Sequence, residues 1–145
     1  MKVVINKCFG GFGLSMKGMT EYLKLKGKKC YFYKQNKFKH CDGVESHEKV
    51  SMNEKSIFVH CILKDLGKTI VGDFDEKVYG KGNYFSTYDI PRDDPDLVKV
   101  VKKLGKASWG DCAELEIVDI PDDAVWEVNE YDGNEHIAEK HRTWS

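Results

Sequence analysis

No stretch of this 145-residue chain approaches the roughly 20 consecutive apolar residues that a membrane-spanning helix requires. The opening Met1-Lys2-Val3-Val4-Ile5 reaches Asn6-Lys7 after only three apolar positions, too short for the core of an export signal. Cysteine occurs five times (Cys8, Cys30, Cys41, Cys61, Cys112) but never as CxxC, and an odd count in a chain without an export signal argues for free thiols over a disulfide framework. Proline occurs three times, and no Pro- or Ser-rich linker and no internal repeat is visible. The absences point to one cytoplasmic domain over residues 1–145, long enough to bury a core without staples.

Charge is balanced in sum and unbalanced along the chain. Residues 1–70 hold 14 Lys against 6 acidic residues, a net of +8, whereas residues 71–145 hold 9 Lys and Arg against 18 acidic residues, a net of −9. Such asymmetry suits two solvated faces that attract each other, or a basic half turned toward an anionic ligand. The overall net of −1 argues against a dedicated nucleic-acid binder, whose affinity rests on phosphate neutralisation.

The patterning predicts an α/β protein, with α+β as the alternative, having a mixed sheet, two main helices and a C-terminal β-hairpin. Val3, Val4 and Ile5 mark Lys2–Asn6 as a buried strand. Ser15 is a candidate N-cap for a helix carrying Met16, Met19 and Leu23, with Gly27 as its stop. Lys29–Tyr33 and Ser56–Leu63 read as strands, and the polar Lys34–Glu54 between them as a surface excursion (about 34–55). Gly67–Pro91 reads as short strands and turns, with aromatic runs at Phe74–Tyr79 and Tyr84–Tyr88. Asp94-Pro95 opens the clearest helix, through Leu97, Val98, Val100, Val101 and Leu104 to Gly105. Glu114–Ile120 alternates as a strand, and Val125–Trp144 folds back around Asp132-Gly133.

Chemistry concentrates at Asn6-Lys7-Cys8-Phe9-Gly10-Gly11-Phe12-Gly13-Leu14-Ser15. A strand turning through glycines into a helix can aim backbone N–H groups and the helix dipole at an anion. Lys7 adds charge, Asn6 and Ser15 offer directed hydrogen bonds, and Phe9 and Phe12 offer rings to stack on a base. The spacing matches neither GxGxxG nor GxxxxGK[ST]. The alternative is a tight turn whose glycines permit close packing and whose phenylalanines fill core.

Other candidates are weaker in spacing. Arg92, after Tyr84–Tyr88 and before the second helix, could form a second pocket wall. His141, Arg142 and Trp144 could bring an aromatic anchor and an anion-binding fork to the site, or Arg142 could pair internally with an acidic residue. His40-Cys41, His47 and His60-Cys61 lack the short paired spacing of a zinc site, so no metal and no cofactor is expected. Cys8 with His141 or His60 as base is a nucleophile pattern, with a structural thiol as the simpler reading.

The segments Val4–Ser15, Arg92–Val98, Glu130-Tyr131-Asp132-Gly133 and His141–Trp144 resemble a family of small proteins found widely in bacteriophages and prophages, with INKCFGGFGLS near the start and HRTW near the end. That family carries no assigned mechanism, so the resemblance transfers a setting. It implies a phage-encoded accessory protein in the infected bacterial cytoplasm, where small phage proteins often counter host defence, some of them by sequestering nucleotide-derived immune signals. Together with the glycine loop, lysines and aromatics, the expectation is a binding protein for a small anionic nucleotide-like ligand, without membrane or nucleic-acid partner, and with homo-oligomerisation open to it. A nucleotide or phosphodiester enzyme, using His141, His60, Asp89 or Asp111, is one alternative. An adaptor or inhibitor of a host protein, using Trp109 and Trp126, is another.

Overall fold

The computed structural model describes residues 1–35, 45–54 and 59–139. Among these residues the arrangement is α+β: nine strands pair in three sheets, every pairing antiparallel, with two ten-residue helices. Two such helices cannot supply the crossovers that a parallel sheet of this size would demand. Among the described residues no helix is long and apolar enough to cross a membrane. The chain divides into two compact units, residues 1–22 with 87–145, and residues 23–86.

In the first unit, β1 (Lys2–Asn6) pairs with β7 (Leu115–Asp119) in the register Val4↔Ile117 and Asn6↔Leu115. Val3, Val4 and Ile5 are buried in succession, as their β-branched run predicts. The helix α2 (Pro95–Leu104) covers this ribbon with Leu97, Val98, Val100 and Val101, a stripe at helical spacing. Its start follows the sequence signals: Asp94 accepts a hydrogen bond from the Asp96 N–H at 2.9 Å and Pro95 fills the first turn. Asp94 also accepts from the Tyr22 hydroxyl at 2.7 Å, which fastens α1 (Met16–Leu25) at that point. The hairpin of β8 (Trp126–Tyr131) and β9 (Asn134–Glu139) turns through Asp132 (φ 53°) and Gly133 (φ 88°), the positive φ at both central positions that a type I′ turn requires.

The second unit is a five-stranded sheet in the order β5-β3-β2-β4-β6, from Thr69–Val71, Ser46–Lys49, Tyr31–Gln35, Val59–Ile62 and Tyr84–Phe85. Tyr33, Ile62, Ile70, Phe74 and Val78 form its core. Two expectations are corrected here. The polar stretch read as a surface excursion contains β3, whose single fully inward residue is His47, so no apolar alternation announces it; ladders to β2 and β5 hold it instead. Phe74–Tyr79 is helical: Asp75–Tyr79 forms one turn of π-helix, with the Gly80 N–H donating to the Asp75 carbonyl at 2.8 Å. Phe74 and Val78, at i and i+4, are the buried pair that this spacing serves.

Candidate functional site

The glycine loop closes against the far end of the chain. Asn6, fully buried, uses every hydrogen-bonding position of its amide on backbone. Its Nδ2 donates to the Cys8 carbonyl at 2.8 Å and the Gly133 carbonyl at 2.7 Å. Its Oδ1 accepts from the Cys8 N–H at 3.2 Å and the Glu114 N–H at 2.9 Å. The side chain expected to meet a ligand therefore clamps three segments together. Gly133 sits so close to the loop that a Cβ on it would lie 2.3 Å from Gly11 N and 2.7 Å from Gly10 N. The Gly10 N–H donates to the Asp132 carbonyl at 3.1 Å. Glycine at position 133 serves close approach of two backbones, while Gly10 (φ 139°) sits where a Cβ would fall 2.7 Å from Cys112 Cβ and Gly11 (φ 103°) holds a backbone conformation that favours glycine.

The helix end is used internally as well. Ser15 Oγ accepts from the Gly18 N–H at 3.0 Å, as an N-cap, and donates to the Ala107 carbonyl. Gly13 meets Gly110 in a backbone contact, with the Gly110 N–H on the Gly13 carbonyl at 2.9 Å. Ser15 and Gly13 are thus structural, and the amides of α1 do not face the cavity described next.

That cavity, about 630 Å³, opens beside the loop. Gly10, Gly11 and Phe12 form one side; Glu130, Asp132 and Gly133 of the hairpin form another. Its floor is an ion pair that joins Arg92 to Glu135. The Arg92 Nη atoms donate to the two Glu135 carboxylate oxygens at 2.5 and 2.8 Å, with the side chains 17% and 4% exposed. Glu135 Oε1 also accepts the Asn6 backbone N–H at 2.8 Å, and the Arg92 guanidinium lies 3.7 Å above the ring centroid of buried Phe12. The rim is aromatic: Phe9 is 61% and Tyr88 73% exposed, and Phe9 meets the exposed Tyr131 edge-on at 6.4 Å.

The sequence expectations divide accordingly. Phe9, Gly10, Gly11, Phe12 and Arg92 line the cavity, although Phe12 is a core ring whose exposed partner is Arg92's underside. Lys7 is exposed and lies off the lining. His141, Arg142 and Trp144 lie outside the described residues, as do His40 and Cys41. The sequence reading missed Glu130, Asp132 and above all Glu135. Glu135 is the buried carboxylate of β9, next to the Asp-Gly turn, and nothing in the spacing of the sequence marks it as the partner of Arg92.

The catalytic alternatives gain nothing from this lining. Asp89 and Asp111 are exposed and absent from it, and His60 belongs to the second unit, where burial holds its imidazole below the ordinary histidine range. The Cys8 thiol donates to the Phe9 carbonyl at 3.5 Å, and no histidine is hydrogen-bonded to it among the described residues. The Cys61 thiol is pushed up by its hydrogen bond with Cys30 and by burial, which keeps it protonated and inert. Among the described residues no three His, Cys, Asp or Glu side chains converge as a metal site needs. Trp109 and Trp126 are half-buried, so the exposed aromatic surface of the first unit lies at Phe9, Tyr88 and Tyr131 instead. Comparison with known protein families, curated proteins and solved structures finds no match.

Proposed function

We propose that this chain is a binding protein that holds and sequesters a small nucleotide-derived molecule in the cavity between the Gly10-Gly11 loop and the Asp132-Gly133 turn. The observation that carries the reading is the cavity itself: at about 630 Å³ it has the size of a small-molecule site, with a rigid polar floor and exposed rings at its rim. Phe9 and Tyr88 offer faces on which a base can stack, each such contact contributing about 1–3 kcal/mol. The floor favours holding over turnover, because Arg92 and Glu135 are spent on each other and on Asn6. The phage setting, and with it a role in counteracting host immune signalling, rests on the resemblance of the four sequence segments.

The test is a thermal-shift screen with cyclic dinucleotides, cyclic ADP-ribose isomers, ADP-ribose and NAD, followed by chromatography of the ligand released on denaturation. A melting shift with unchanged ligand recovered supports sequestration. Altered ligand would make the protein an enzyme, and no shift across the panel would remove the nucleotide reading altogether.

A further inference from the structure

We infer that the cavity grips the nucleoside end of its ligand and leaves phosphate outside, with Glu130 and Asp132 as the specificity-determining acceptors; the inference rests on the ligand-binding reading above. Four charged side chains line the cavity: Arg92, Glu130, Asp132 and Glu135. The Arg92–Glu135 pair cancels within itself, bidentate and mostly buried, so its guanidinium has no fork left for a phosphate. Glu130 and Asp132 form no ion pair or hydrogen bond through their side chains with any described residue. Two exposed carboxylates beside the cavity, unpaired among the described residues, repel an entering phosphate and accept hydrogen bonds from donors.

The backbone agrees with the side chains. The loop amides that would cradle an anion are covered by the hairpin turn: the Gly10 N–H is taken by the Asp132 carbonyl, and Gly133 packs directly over Gly10 N and Gly11 N. What remains accessible is a pair of exposed rings, Phe9 and Tyr88, with the carboxylates of Glu130 and Asp132 on the same lining. A flat ring rich in N–H donors, attached to a hydroxylated sugar, satisfies both features at once. The ring stacks, while base N–H groups and ribose hydroxyls donate to Glu130 and Asp132. The expected anionic recognition is thereby reassigned from the phosphate to the uncharged part of the molecule.

The experiment is isothermal titration of the whole protein with adenosine, guanosine, their 5′-monophosphates and inorganic phosphate, repeated on the Glu130→Gln/Asp132→Asn double variant. Both positions are exposed, and Asn tolerates the left-handed backbone at position 132, so the fold is expected to survive; an unchanged melting curve verifies this. The expected result is that one nucleoside binds at least as tightly as its monophosphate, that inorganic phosphate does not compete, and that the double variant loses about tenfold or more in nucleoside affinity. A monophosphate binding about tenfold tighter than its nucleoside, or a folded double variant with undiminished nucleoside affinity, would overturn the inference while leaving a nucleotide-binding protein standing. Failure of both nucleosides and both monophosphates to bind the unaltered protein would also overturn the inference, while the nucleotide reading itself falls only with a blank across the wider panel above.

Discussion

Gly133 and Gly67 form a natural matched pair for testing what the glycine knot contributes. Their φ angles are +88° and +89°, so alanine meets the same unfavourable backbone region at both. Around Gly67 nothing lies within 4 Å of an added Cβ, whereas at Gly133 the Cβ would fall 2.3 Å from Gly11 N, 2.7 Å from Gly10 N and 2.9 Å from Gly11 Cα. Gly67→Ala should therefore cost only the conformational term, about 1–2 kcal/mol. In Gly133→Ala the obstacles are backbone atoms, so relief requires the hairpin turn to lift from the loop. That movement stretches the Asn6 Nδ2 bond to the Gly133 carbonyl (2.7 Å) and the Gly10 N–H bond to the Asp132 carbonyl (3.1 Å). Each strained or lost bond at a shielded site adds about 1–2 kcal/mol, for a total of roughly 3–6 kcal/mol. Against a typical domain stability of 5–15 kcal/mol, the variant should be partly unfolded or melt at least about 10 °C lower. Urea denaturation of both variants, followed by circular dichroism and by tryptophan fluorescence, measures the difference. Equal losses at the two positions, within about 0.5 kcal/mol, would refute the claim that loop and turn are in contact.

Three further outcomes follow from the same geometry. Arg92→Met and Glu135→Leu should each cost about 3–5 kcal/mol by stranding a poorly solvated partner, while the double variant costs clearly less than their sum; additivity in a denaturation cycle would mean the pair is too solvated to organise the floor. Asn6→Ala should reduce stability by about 3 kcal/mol or more, since four backbone groups lose their partner, and a variant that melts normally but loses ligand would contradict the clamp. The second unit should weaken in mild acid. His47 stacks on Phe74 at 3.7 Å with its Nδ1 unpartnered among the described residues, His60 lies 5.5 Å from it, and burial lowers both imidazoles below 6.5 against the smaller opposing pull of Glu45, with Asp75 also acting on His47. Above 6.5 both histidines are neutral folded and unfolded; below it the unfolded chain takes up protons that the folded core resists. Stability is thus lost as pH falls from about 6.5 toward the folded values, at up to about 1.4 kcal/mol per pH unit per histidine. His47→Phe should flatten that slope in pH-dependent urea melts.

What the sequence announced and what it withheld follow a simple physical division. Strand β1, helix α2 with its Asp94-Pro95 start, and the Asp132-Gly133 turn were legible because their signals are local: a β-branched run, a cap, a turn dipeptide demanding positive φ. The glycines at 10 and 11 were legible as special but not for their surroundings: a Cβ at Gly10 would meet Cys112, and Gly11 holds φ 103° directly beneath Gly133. Strand β3 was illegible because one inward histidine among Ser, Glu and Lys has no hydrophobic period. At the site, Arg92 and the loop were anticipated as walls, while their joining element, Glu135, was not; a pairing of residues separated by 43 positions leaves no trace in spacing. Asn6 was recognised as important and assigned the wrong task, since an amide that can bind a ligand and one that can bind four backbone groups look alike in sequence.

The distance along the chain between Asn6 and the hairpin has a consequence for how the molecule comes into being. The amide of residue 6 waits for residues 133 and 135, partners 127 and 129 positions downstream. Val3-Val4-Ile5 likewise waits for β7 before its ladder can close. During synthesis, this apolar strand leaves the ribosome long before β7 and the hairpin, and is an exposed edge until they follow. Contacts of such high order make for slow closure, so the cavity is among the final features to form and appears only once the C-terminal hairpin has docked.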